Sequence, residues 1–263
     1  MTGPVEGTVG GRSPLITRVR RLARERSLRR EEGVYLVEGP TLVADALAAG
    51  REVLQVLVPV SAADGGVVAA AQRAGVPCGI VDDGPFGGLT TTRSPQAALA
   101  VVATHDVPTA ELPDGLLVVL ADLADPGNAG TLVRSAEAFG AAGVVVAGGV
   151  DPYNPKCVRA TAGALFRLPL AVLEGDDAVG RALDELGDLG RPCWATVARG
   201  GVDPTEVPAE PAPVLVLGNE PHGLPDEALE RCTGLVTVPT TGAGDSLNVA
   251  VAGSVLLYAV VDR

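Results

Sequence analysis

Through its second half the chain places apolar residues in short unbroken runs, each ending in a glycine-rich or polar turn. Such runs at Leu117–Asp122, Gly143–Val146, Trp194–Val197, Val214–Leu217 and Leu235–Val238 predict strands buried on both faces. Helical spacing near Gly130–Phe139 and Lys156–Leu165 falls between them. Alternation of this kind predicts an α/β fold with a mostly parallel, doubly wound sheet, which takes ligands at the carboxyl ends of its strands.

The first hundred residues follow a different rhythm. Leu15, Val19 and Leu22 repeat at helical spacing and predict a helix over Pro14–Arg30. A strand over Gly33–Gly39 follows, then a helix over Pro40–Ala49 stopped by Gly50, a strand over Val53–Val58 and another over Ala98–Ala103. Asp106–Gly115 is crowded with breakers and has no period. The expected organisation is therefore residues 1–11 without regular structure, a small α/β domain over 12–105, a linker over 106–115 and the parallel domain over 116–263.

Composition narrows the function classes. Cys78, Cys157, Cys193 and Cys232 form no C-x-x-C pair, which argues against a zinc site or a disulfide framework and for small buried apolar residues. No apolar run is long enough to span a bilayer and the first residues lack a signal pattern, so the expectation is a soluble, cytoplasmic protein with no membrane partner. The net charge of −12 speaks against nucleic acid, but its distribution does not. Arg12, Arg18, Arg20, Arg21, Arg24, Arg26, Arg29 and Arg30 crowd one short stretch opposed there by Glu25 alone, a basic face on an acidic chain. The plainer alternative is a solvated helix in a chain whose one lysine is Lys156.

Candidate chemistry gathers at three glycine-containing turns that follow strands. Thr240-Thr-Gly-Ala-Gly-Asp245 taken alone resembles the anion hole of ribokinase-like sugar kinases, with Asp245 as base, although Pro239 stands where that pattern places an aspartate. A second reading takes Asp125–Gly140, Val214–Leu224 and Val236–Ala252 together and in order. In them Asn128, Arg134, Gly218, Asn219, Glu220, Gly223, Pro239, Gly242, Ser246, Leu247 and Asn248 match motif positions of the SpoU (TrmH-type) RNA 2′-O-ribose methyltransferases of the SPOUT class, which the chain resembles. One departure is Thr240, where the family carries methionine after the proline.

The resemblance implies a C-terminal trefoil knot, a homodimer whose interface completes each active site, S-adenosylmethionine as cofactor and no metal. It makes the first domain a ribosomal-protein-like RNA-binding domain and places the cofactor against Thr196, Leu217, Gly218, Asn219, Val238, Ser246 and Leu247. Arg134 becomes the leading catalytic candidate. A guanidinium does not act as a plain base, because its pKa lies above about 12, so its expected task is to clamp a phosphate and acidify the 2′-OH, with Asn128, Glu220, Ser246 or Asn248 relaying or accepting the proton. Pairing of Arg134 with Glu137 on a helix surface is the competing reading. RNA contacts are expected from Arg18, Arg21, Arg26, Arg29, Arg30 and Arg159, with ribosomal RNA preferred over tRNA. Lys156 is a second cation in the Arg159 segment, while Thr161 and Gly163 read as packing residues. Glu38 reads equally as an RNA contact or as a cap for the helix after Pro40, and His222 as a turn residue. A SPOUT-fold RNA binder without activity remains the third class.

Overall fold

In a computed structural model of the chain, residues 5–11, 13–91, 97–241 and 247–261 are described. Arg12, Gly242, Asp245 and Ser246 lie outside them. The chain divides into two compact units: residues up to Thr104 with Tyr153–Phe166, and His105–Pro152 with the chain from Arg167 onward.

The first unit begins with β1 (Val5–Val9), α1 (Pro14–Arg24), α2 (Arg26–Glu32), β2 (Val34–Glu38) and α3 (Pro40–Ala48), and continues with β3 (Val53–Pro59), α4 (Gly66–Arg73), β4 (Cys78–Val81), α5 (Asp83–Gly87) and β5 (Leu99–Ala103). Its sheet runs β1-β4-β3-β5-β2, with β4 parallel to both neighbours and β5 antiparallel to both of its own. The first eleven residues, expected to be irregular, thus contribute an edge strand.

The single helix expected over Pro14–Arg30 is two. Ser13 accepts from the Leu15 N–H and Pro14 opens α1, a favourable start. Glu25 then adopts extended backbone at φ −101°, ψ 105°, and the chain turns. The turn lets Leu28 join Ile16, Val19 and Leu22 in a core with Leu36, Leu57, Phe86 and Leu99. Full burial of each such side chain stabilises by roughly 1.5–3 kcal/mol. It also carries Arg29 inside, only 4% exposed, where Nη1 donates to the Leu22 carbonyl at 2.6 Å. Arg29, expected as an RNA contact, is thus buried and tied to the end of α1.

The second unit opens with β6 (Leu117–Ala121), α6 (Pro126–Ala138) and β7 (Gly143–Ala147). The chain next supplies α7 (Pro155–Ala160) to the first unit. This helix is shorter than the expected Lys156–Leu165, because Ala162 (φ 49°) and Gly163 (φ 88°) adopt left-handed backbone that ends it, and a 3-10 turn over Ala164–Phe166 follows. Within the first unit the Tyr153 ring lies 4.7 Å from that of Tyr35, and Arg51 Nε donates to the Phe166 carbonyl at 2.8 Å.

The second unit resumes with β8 (Leu170–Leu173), α8 (Ala178–Asp188), β9 (Cys193–Thr196), β10 (Val214–Leu217), α9 (Asp226–Glu230), β11 (Gly234–Val236) and α10 (Val249–Val261). Its sheet is parallel throughout, in the order β11-β9-β10-β6-β7-β8. Every residue of β6, β7 and β10 is buried, as unbroken apolar strands require. Because β6 stands between β7 and β10, the chain leaves it on one side and comes back on the other, and such a switch opens a crevice at the strand carboxyl ends.

Residues 106–115, expected as a linker, pack within the second unit. Thr109 and Leu112 are buried, Val107 N–H donates to the Leu170 carbonyl, and Arg191 binds the carbonyls of Pro113 and Gly115 and pairs with Asp114. Cys78, Cys157 and Cys193 are buried free thiols, and Cys232 is half-buried. Burial pushes Cys193 up to about 12, which suits an inert apolar residue.

Candidate functional site

The crevice at the strand ends is a cavity of about 430 Å3. Thr196 at the end of β9, Leu217 through Leu224 after β10, Val238 after β11, and Leu247 and Val249 at the start of α10 all line it. Six of the seven residues expected to hold a cofactor are among them: Thr196, Leu217, Gly218, Asn219, Val238 and Leu247. The seventh, Ser246, lies outside the described residues. Thr240, the departure from the family pattern, is part of the wall, and so are Val197, Ala198 and Ala252, which were not among the residues expected to hold a cofactor.

Two glycines shape this cavity. A Cβ on Gly218 would stand 2.6 Å from the backbone of Gly223 and 2.8 Å from that of Leu224, so the turn closes only because position 218 has no side chain. A Cβ on Gly253 would meet Leu132 and Leu217, which is how α10 comes down onto α6. The turn is closed further by Gly223 N–H donating to the Asn219 carbonyl, and His222 N–H donates to Asn219 Oδ1, consistent with a turn residue.

A polar network ties the three motif loops together beside the cavity. Asp125 caps α6, accepting from the N–H groups of Gly127 and Asn128, so that helix begins a turn earlier than expected and carries Asn128 in its first turn. Glu220 accepts from Ala124 N–H at 3.0 Å, Asp125 N–H at 3.2 Å and Asn128 Nδ2 at 2.9 Å. Asn248 Nδ2 donates to Asn128 Oδ1 at 3.1 Å, while its own Oδ1 caps α10 by accepting from Ala250 and Val251. Asn219 Nδ2 reaches back to the carbonyl of Asp122, a non-glycine residue in left-handed backbone at φ 51°. Asn128 thus contacts both Glu220 and Asn248, the other two described residues expected as alternatives for relaying or accepting the proton.

Electrostatics sort their roles. Burial pushes the Glu220 carboxyl upward, but the hydrogen bonds from Ala124, Asn128 and Asp125 outweigh it and hold the group below its ordinary value of 4.5. A carboxylate kept ionised and engaged by three donors orders loops and is a weak proton acceptor. Asp125 was not among the expected site residues, although an aspartate just before a proline and an apolar helix marks a helix start.

Arg134 is exposed on α6 and, among the described residues, makes no hydrogen bond or ion pair. The pairing with Glu137 does not form, because Glu137 is taken by Arg167 through both Nε and Nη2. In the first unit Arg18 pairs with Glu32 and Arg21 with Glu25, whereas Arg26 and Arg30 are exposed and line a shallow recess with Ser27 and Glu31. The basic stretch is therefore opposed by more than Glu25. Arg159 joins neither group: it pairs with Glu38 at 3.0 Å, so Glu38 is neither a cap of α3, whose N-cap is Gly39, nor an exposed RNA contact. Lys156 is exposed on α7, and Thr161 is fully buried with its hydroxyl on the Val158 carbonyl.

The residues present fit S-adenosylmethionine. The cavity is within the roughly 300–1,000 Å3 of small-molecule sites, its wall mixes apolar side chains with backbone groups, and Thr196 Oγ1 is buried there without a partner among the described residues. No cluster of three or more His, Cys, Asp or Glu residues that could hold a metal ion occurs among the described residues, and no described helix is long and apolar enough to cross a membrane.

Comparison with known proteins agrees with this geometry. Residues 115–258 match the SpoU rRNA Methylase family, and residues 13–100 match the MRM3-like substrate binding domain. The chain is 32% identical over 232 residues to the 23S rRNA (guanosine(2553)-2′-O)-methyltransferase RlmP of Bacillus subtilis, covering 88% of this chain and 89% of that one. An AdoMet-bound rRNA methyltransferase from Sinorhizobium meliloti superposes with a TM-score of 0.84 at 28% identity, over 97% of both chains. The SpoU methyltransferase AviRb from Streptomyces viridochromogenes, in complex with AdoMet, gives 0.85 at 27% identity over 95% of this chain and 97% of that one. The chain belongs to the SpoU rRNA methylase family, and is an S-adenosylmethionine-dependent RNA 2′-O-methyltransferase of that class. The sugar-kinase reading of Thr240–Asp245 falls with that assignment.

Proposed function

We propose that the chain transfers the methyl group of S-adenosylmethionine to a ribose 2′-OH of ribosomal RNA, with Arg134 as the residue that prepares the hydroxyl. The observation that carries this is the cavity at the ends of β9 and β10, joined through Glu220, Asn128 and Asn248 to the helix that bears Arg134. The cofactor, when bound, supplies an electrophilic methyl on a sulfonium. The rest is positioning. Leu217, Gly218, Asn219, Val238 and Leu247 hold the ligand by shape and backbone groups, and Thr196 Oγ1 offers it a hydrogen bond.

Arg134 has no carboxylate to neutralise it among the described residues, so its charge is available to a phosphate of the substrate. A fixed cation beside the target ribose favours the alkoxide and lowers the barrier where charge develops. Glu220 positions Asn128 and the start of α6, and the relay of the proton is assigned to Asn128, Asn248 or Ser246. Arg26 and Arg30, both exposed, and the exposed side of Arg159 are the RNA contacts of the first unit.

Self-association belongs to the same reading. Val251, Val255 and Tyr258 are exposed on α10 at helical spacing, with Leu247 and Val261 at either end of the stripe. An exposed apolar stripe of that kind marks an interaction face, and a homodimer with the family's C-terminal knot would cover it. The test is incubation of the full chain with tritiated S-adenosylmethionine and either ribosomal RNA or tRNA. Label in ribosomal RNA supports the proposal; label in tRNA alone, or in neither, overturns it.

A further inference from the structure

We propose that Glu38 and Thr91 are positioning residues for Arg159, and that the guanidinium they hold takes a phosphate of the RNA; this rests on the RNA methyltransferase reading above. The Glu38 side chain is 0% exposed, at the end of β2, while that of Arg159 is 28% exposed on α7. Both belong to the first unit. Burying a carboxylate is costly unless it is paired, and an apolar residue commonly serves stability as well as a buried pair does. A pair with one partner fully inside and the other reaching solvent suits a cation that is held for use.

The bonding is a closed ring of three. Arg159 Nη1 donates to Glu38 Oε2 at 3.0 Å and to Thr91 Oγ1 at 2.6 Å. Thr91 donates in turn to Glu38 Oε1, through its N–H at 3.0 Å and its hydroxyl at 2.9 Å. Both contacts of Arg159 use one nitrogen, so among the described residues Nε and Nη2 have no bonded partner. That edge is the one with which a guanidinium grips phosphate by two parallel hydrogen bonds. Holding the side chain beforehand reduces the entropy lost on binding, which is what a phosphate site on a chain of net charge −12 needs.

A ring that only fastened α7 to β2 would affect stability and nothing else, so the test reads RNA binding. Methyl transfer from tritiated S-adenosylmethionine to ribosomal RNA is followed against RNA and salt concentration for full-length wild type, Glu38→Gln, Thr91→Val, Arg159→Ala and the Glu38→Gln, Arg159→Ala double variant. Loss of Arg159 is expected to raise KM for RNA and to reduce the steepness of log affinity against log salt by about 1. Glu38→Gln and Thr91→Val each raise KM by roughly tenfold, the scale of one charge-assisted hydrogen bond, with kcat at saturating RNA unchanged. Glu38→Gln adds nothing once Arg159 is absent. Thr91 is exposed, so its variant reports even if Glu38→Gln fails to fold. The proposal is overturned if KM stays constant while only melting temperature falls, or if the Glu38→Gln effect persists without Arg159. Failure of the parent reading looks different, since wild type then transfers no methyl at all.

Discussion

Glu38 and Glu220 stand in similar places, the first closing β2 in one unit and the second just beyond β10 in the other, yet they hold their surroundings by different means. Glu38 is sealed in and balanced by a cation, Arg159. Glu220 is half-buried and balanced by dipoles, two backbone N–H groups and an asparagine amide. A charge partner makes a strong pair that is costly to break, and dipole partners make a hinge of loops that can be ordered without adding charge. The two units therefore differ in where cationic charge is engaged. In the second unit Glu220 orders the site without consuming a cation, which leaves Arg134 unpaired among the described residues. In the first unit Arg18 and Arg21 face acids, and Arg159, paired with Glu38, keeps one edge of its guanidinium without a bonded partner among the described residues.

This contrast can be broken in order of effect. Arg134→Ala removes the free cation and should lower kcat by roughly 100- to 1,000-fold, the scale of losing one transition-state contact, while calorimetry shows S-adenosylmethionine affinity unchanged. Gly218→Ala drives a Cβ into the backbone of Gly223 and Leu224. Overpacking of that kind costs about 1–3 kcal/mol, so cofactor affinity should fall roughly tenfold or more in the same titration.

The two carboxylates then separate on stability. Glu38→Ala strands Arg159 and empties a buried position, and should cost about 1–3 kcal/mol in denaturant unfolding; Glu220→Ala should cost less, because its donors can turn to water. Glu220 also gives a pH signature. Its folded-state pKa lies below its unfolded one, so its stabilisation is present above the ordinary carboxylate range and is lost as pH falls through the lowered value. Glu220→Gln should accordingly flatten the acid limb of a melting-temperature profile relative to wild type. The smallest effect is expected at Arg21–Glu25, an exposed pair four residues apart on the surface, where Glu25→Gln should leave the melting temperature unchanged at moderate salt.

The second unit was the more legible in the sequence. Its strands are unbroken apolar runs, and its site residues follow them within local turns, so the chemistry of Gly218, Asn219 and Leu247 can be read from a few neighbouring positions. The strand Leu170–Leu173 and the helix Ala178–Asp188 escaped that reading, although Val179, Ala182, Leu183 and Leu186 have helical spacing. What could not be read depends on distant partners. Glu38 meets Thr91 across 53 positions and Arg159 across 121, and no local pattern announces either contact. Arg29 looked like its neighbours until the extended residue Glu25 turned the helix and carried it inside. The placing of Tyr153–Phe166 with the first unit, out of sequence order, likewise has no signature along the chain.

Alkaline hydrolysis of RNA labelled by the full chain and tritiated S-adenosylmethionine locates the transferred methyl. A methyl on the 2′-oxygen removes the nucleophile that alkali uses to cut the adjacent phosphodiester, so the label should appear in alkali-resistant dinucleotides. Label released in mononucleotides would place the methyl on a base and contradict the assignment.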